Sequence, residues 1–77
     1  MARIQEHEIV AEMVANVMSI AVAVGEAVAV GDTVVLLESM KMEIPVLAER
    51  AGTVTAIRVA AGDVVQEGDV LVVLGPA

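Results

Sequence analysis

One lysine, Lys41, stands in this 77-residue chain, in the string Glu38-Ser39-Met40-Lys41-Met42-Glu43. A solitary side-chain amine gives any lysine acylation a single address. A solvated alkylammonium is almost wholly protonated near neutral pH, so it is a weak nucleophile until something removes the proton. Schiff-base catalysis wants such an amine buried or beside another cation. The nearest charges in sequence are instead the carboxylates of Glu38 and Glu43, the wrong sign for that activation. The string therefore describes a substrate for another enzyme better than a catalyst. Met40 and Met42 flank the amine with flexible, polarizable thioethers that adapt to a partner's pocket. Core filling is their alternative role, but a loop tip has little core beneath it, so recognition is the expectation. Glu38 and Glu43 read as solvated flanks of the loop rather than acid–base groups.

Other chemistries find few candidates. Without cysteine there is no disulfide, thiolate metal site or cysteine nucleophile. His7 is the one soft ligand, and beside an acidic N-terminus it is expected to be a solvated terminal residue, so neither a metal site nor a catalytic residue is expected. Eleven acidic against four basic residues give a net charge of −7, which opposes binding to nucleic acid or anionic membranes. The absence of Phe, Tyr and Trp removes any platform for stacking bases. The longest apolar runs, such as residues 20–24, fall far short of the about 20 residues a bilayer span requires. The acidic start has neither a basic n-region nor an apolar h-region. A soluble, cytoplasmic protein is the expectation.

The elements that must position Lys41 are strands. A chain this short builds one core, so residues 1–77 read as one domain. Its apolar fraction is Val, Ala, Ile, Leu and Met, a β-branched composition suited to pleated strands. Shifting the chain by 37 residues lays 9–38 on 46–75 with twelve identities. They are Ala11/Ala48, Glu12/Glu49, Val17/Val54, Ile20/Ile57, Val22/Val59, Ala23/Ala60, Gly25/Gly62, Val28/Val65, Gly31/Gly68, Asp32/Asp69, Val35/Val72 and Leu37/Leu74. Such spacing marks an internal duplication. Each half reads as strand, turn, short strand, turn, strand, with Gly-Glu or Gly-Asp pairs at the reversals. Ile20, Val22 and Val24 alternate as one strand before Gly25, and residues 54–59 do so before Gly62. Two such halves packed about a pseudo-twofold axis predict an all-β fold, a flattened barrel or sandwich of two four-stranded antiparallel sheets. At the join, the run 34–37 ends and an extended run 44–47 begins. Pro45 within that second run suits an edge or bulged position. The connection is expected to be a tight hairpin centred on Met40 and Lys41, although two-residue hairpin turns favour glycine-containing pairs.

The central string, with Ala51-Gly52-Thr53-Val54 and Gly62-Asp63-Val64-Val65, resembles the biotinyl attachment domain of biotin-dependent carboxylases and transcarboxylases over about residues 8–75. Within that family it is similar to the small stand-alone biotinylated proteins of actinobacteria. The resemblance implies a barrel-sandwich hybrid, with Lys41 displayed on an exposed turn as the covalent attachment point for biotin. It also implies that Met40, Met42 and Glu38 are read by a biotin protein ligase, and that neutral Lys41 attacks biotinyl-adenylate to form an amide. The loaded domain would then carry carboxyl groups between biotin carboxylase and carboxyltransferase subunits, a non-catalytic carrier role. Related lipoyl domains usually have an acidic residue before the lysine and a small one after it. A lipoyl-type carrier and an unmodified interaction module are the alternative readings. The chain departs from the family in Glu12-Met13-Val14-Ala15, where Pro-Met with a nearby Gly is frequent, in Glu49 at the equivalent Pro position, and in Ser39 where Ala is common. The short segment 25–31 implies that a thumb-like insertion is absent.

Overall fold

A computed structural model describes residues 6–76; residues 1–5 of the acidic start discussed above lie outside that range. Eight strands follow one another among the described residues: β1 (His7–Val10), β2 (Ala15–Ile20), β3 (Ala27–Val28), β4 (Thr33–Ser39), β5 (Met42–Leu47), β6 (Gly52–Ile57), β7 (Val64–Val65) and β8 (Val70–Gly75). They form two four-stranded sheets of order β1-β8-β6-β3 and β5-β4-β2-β7, antiparallel throughout. This is the all-β barrel-sandwich of two antiparallel sheets that the sequence predicts. No helix among the described residues is long and apolar enough to cross a membrane.

The duplication is present in the backbone. Adding 37 to residue numbers turns 15–20 into 52–57 and 27–28 into 64–65, so β2 maps onto β6 and β3 onto β7. Hydrogen bonds repeat in the same way. The Gly31 amide donates to the Ala48 carbonyl at 2.9 Å and the Gly68 amide to the Ala11 carbonyl at 2.8 Å. The Gly25 amide donates to the Val54 carbonyl and the Gly62 amide to the Val17 carbonyl, both at 2.8 Å. The halves nevertheless do not pack as two separate layers. Each sheet takes two strands from each half, so the repeats interleave and neither sheet closes without both.

The reversals show why an acidic residue follows glycine. In the turns 23–26, 29–32, 60–63 and 66–69 the third residue is Gly with φ between 92° and 95°, the type II arrangement that glycine adopts without a steric penalty. The amide of the fourth residue donates to the carbonyl of the first at 3.0–3.1 Å. The fourth side chain answers in return: carboxylates of Glu26, Asp32, Asp63 and Asp69 accept from the amides of Ala23, Ala29, Ala60 and Gln66 at 2.8–3.0 Å. Four of the eleven acidic residues are thus turn locks, each supplying an acceptor for an otherwise exposed amide.

Simple alternation fails where the ladders bulge. Between β1 and β8 the register skips Leu71, and between β4 and β5 it skips Val34. A bulge lets consecutive side chains both turn inward, and Val34, Val35, Leu71 and Val72 are all fully buried. A second pair of skips falls at Met18 in β2 and Thr55 in β6. The expected strand through Val22 and Val24 is therefore shorter: β2 stops at Ile20 and β6 at Ile57. The next amides, of Ala21 and Arg58, bond to the carbonyls of the bulge residues Val34 and Leu71 at 2.9 Å. Beyond that point the chain peels away into the type II turns, while Val22 and Val59 still pack on the core. The core repeats too, with Val17/Val54, Val28/Val65 and Leu37/Leu74 buried as pairs and no buried polar side chain among them.

Candidate functional site

Strands β4 and β5 form the hairpin that carries Lys41. Its ladder is closed by Ser39 opposite Met42, leaving Met40 and Lys41 as a two-residue loop. Both have left-handed backbone, φ 52° at Met40 and 66° at Lys41, and no other non-glycine residue among those described has positive φ. Positive φ at both loop positions defines the type I′ turn, whose twist matches that of the flanking strands. Side chains there crowd the following carbonyl at a cost of roughly 1–2 kcal/mol per residue. The conformation is held from below, because Val34, Val35 and Leu37 of β4 are fully buried and fix the register. Pro45 lies in β5, which is the edge of its sheet, the position that a residue without an amide proton can occupy.

The tip stands clear of the body. Leu37 is the last fully buried side chain before it, and three residues of extended chain from there to Met40 span roughly 10 Å. Met40 is 92% exposed and Met42 62%; Lys41 is exposed as well. Among the described residues the Lys41 ammonium takes part in no ion pair and no side-chain hydrogen bond. Glu38 and Glu43 sit directly opposite each other in the ladder below it, Glu43 exposed and Glu38 half-buried. Like charges facing across strands destabilise the pair modestly, and they place a negative patch beneath the amine. An unencumbered amine on a rigid, protruding turn fits a group joined to it through an amide. Met40 and Met42 are exposed rather than packed into the core, and Glu38 is half-buried where the sequence predicts a solvated flank.

His7 is a correction. It is no freely solvated terminal residue: it belongs to β1 opposite Leu74, its side chain is 23% exposed, and its Nε2 lies 3.8 Å from a carboxylate oxygen of Glu49. That nitrogen is buried with no hydrogen-bond partner among the described residues. No group of three or more metal-ligating side chains occurs among the described residues. A cleft of about 390 Å³ opens between the sheet edges β1 and β5, lined by Ile9, Met13, Ile44, Val46, Glu12 and Glu49 among others. Lys41 is not part of it.

Comparison with known proteins agrees with this geometry. The profile of a biotin/lipoyl family described as "Biotin-requiring enzyme" matches residues 6–74. The "Biotinylated protein TB7.3 homolog" of Mycolicibacterium smegmatis is 62% identical over 37 residues, which are 48% of this chain and 52% of that protein. "Biotinylated protein TB7.3" of Mycobacterium tuberculosis matches at the same identity and coverage. The matched stretch thus spans about half the length of these curated relatives. Among solved structures, a single-chain, multi-domain long-chain acyl-CoA carboxylase superposes with a TM-score of 0.87 and 30% identity, over 94% of this chain and 7% of its own. The urea carboxylase of Kluyveromyces lactis gives 0.86 and 33%, over 91% of this chain and 6% of its own. The lipoyl domain of the 2-oxoglutarate dehydrogenase complex from Azotobacter vinelandii gives 0.68 and 33%, over 79% and 77%. With a family profile covering nearly all of its length and a barrel-sandwich that presents its single lysine on a bare turn, the chain belongs to the biotin/lipoyl attachment family.

Proposed function

We propose that the chain is a biotin carboxyl carrier, one non-catalytic domain over residues 1–77, with biotin joined covalently to Lys41. One observation carries the reading: the chain's only side-chain amine occupies a type I′ position where glycine would be less strained. A stability-driven turn would not place long side chains there; a turn that must present an amine has to. The biotinylated relatives and carboxylase neighbours support biotin as the group and carboxylases as the setting.

Each residue has a defined part. Lys41, once a ligase removes its proton, offers the Nζ lone pair to the activated carboxyl carbon of biotin; the C–N bond forms, AMP departs, and the tip loses its positive charge. Met40 and Met42 give the ligase an adaptable apolar surface on either side of the amine. Glu38, opposite Glu43 at the base of the turn, gives it a negative mark for register. When bound, biotin supplies a ureido nitrogen that accepts and releases a carboxyl group, while the barrel supplies rigidity and presentation. Biotin carboxylase and carboxyltransferase subunits, working in the cytoplasm, are the proposed partners; neither nucleic acid nor membrane is.

The test begins with ligase, ATP and biotin. The native chain gains one biotinyl group and binds streptavidin, whereas Lys41→Arg and Lys41→Ala do not. The loaded chain then takes up isotope from labelled bicarbonate when biotin carboxylase and ATP are added. Faster loading by a lipoyl ligase would instead select a lipoyl-type carrier, and no loading by either would select an unmodified interaction module.

A further inference from the structure

We propose that Met40 and Met42 form a reversible oxidation site that, as sulfoxides, closes Lys41 to ligation; the inference rests on the reading of Lys41 as the attachment point. Four methionines fall among the described residues, and exposure separates them sharply. Met40 is 92% exposed and Met42 62%, against 40% for Met13 and 39% for Met18. The left-handed turn is the cause. It throws the Met40 side chain off the end of the hairpin, beyond the last buried residue, with no neighbouring element to cover its sulfur.

Hydrogen peroxide is the oxidant class that suits an exposed thioether. A sulfur lone pair attacks one peroxide oxygen, the O–O bond breaks, a sulfur–oxygen bond forms and water leaves. Sulfur is oxidised by two electrons and peroxide is reduced by two. The product is polar and chiral where the side chain had been apolar and adaptable. Two equivalents of thiol, through methionine sulfoxide reductases, reverse the change and release a disulfide and water.

The site matters because of what lies between the two sulfurs. A ligase pocket that engulfs the tip closes on both thioethers in order to reach the amine. A sulfoxide oxygen forced into such a pocket is an acceptor without a donor. The Lys41 ammonium has no ion-pair partner among the described residues, and it stands between the two methionines in sequence, so a sulfoxide on either side adds an acceptor beside the group that must react.

The experiment uses the full-length apo chain and a Met13→Leu/Met18→Leu variant, in which the tip holds the oxidisable methionines of the described region. Each is treated with hydrogen peroxide, quenched with catalase, mapped by peptide mass and assayed for its initial rate of ligase-catalysed biotinylation. Met40 oxidises first, and the rate falls roughly 10- to 100-fold, the discrimination expected for an unpartnered polar oxygen in an apolar pocket. Reductase treatment restores it, whereas mock treatment without reductase leaves the rate low. A chain with sulfoxide at both 40 and 42 that is biotinylated at the untreated rate overturns the proposal. So does oxidation of Met13 and Met18 ahead of Met40. If the untreated chain is not loaded on Lys41 at all, the attachment reading falls and this inference with it.

Discussion

Met40 and Lys41 occupy backbone that Asn and Gly would fill at lower cost, and the difference is measurable. Replacing them together with Asn-Gly should raise stability by about 1–2 kcal/mol, read as a higher urea midpoint with an unchanged slope. The same change removes the amine and one of its flanks, so loading by the ligase is lost in a protein that is more stable. Retained or lowered stability would mean that the turn is not strained. The residue scale was the most legible in the sequence. A lone lysine between two methionines, at a junction whose turn chemistry is wrong for a hairpin, stands out without coordinates. His7 was not legible in that way, because its inward position follows from pairing with Leu74, and a single strand does not say which way it faces.

At the scale of elements, the turn locks and the close approaches of strands set the geometry on which the hairpin stands. Removing one carboxylate acceptor, as in Asp69→Ala, exposes the Gln66 amide and should cost about 1–2 kcal/mol. Gly52 does a different job. A Cβ at that position would collide with the Gly75 carbonyl oxygen and sit 3.3 Å from the Leu74 Cβ. Gly52→Ala should therefore destabilise by about 1–3 kcal/mol as β6 and β8 are pushed apart, and thermal unfolding compares it directly with Asp69→Ala. The glycines that make the type II turns were readable as Gly-Asp and Gly-Glu pairs at a fixed spacing. The bulges at Val34 and Leu71 were not. Two adjacent Val or Leu residues look alike whether one is outward in a regular strand or both are inward across a bulge, and only the partner strand decides.

Across the whole molecule, interleaving changes what the duplication means. Residues 9–38 and 46–75 repeat in sequence, yet each sheet draws two strands from each half. A peptide of residues 1–38 should give a coil-like circular dichroism spectrum alone, and gain strand signal only when mixed with 39–77. A folded half on its own would show that the repeats are independent units. The pseudo-twofold itself was readable from twelve identities; the exchange of strands was not, because a repeat shows which segments are equivalent and leaves open which ones pair. Interleaving also ties the Lys41 hairpin to both halves, since β4 bonds to β2 on one side and to β5 on the other. The central claim is that this scaffold exists to hold one amine for covalent loading. Trypsin tests it most directly, because it cleaves after free lysine and not after an acylated one. After incubation with biotin ligase, biotin and ATP, residues 4–50 should survive digestion as one peptide, heavier by a single biotinyl group. Continued cleavage after Lys41, or a biotinyl mass found only on the N-terminal amine, would contradict the account.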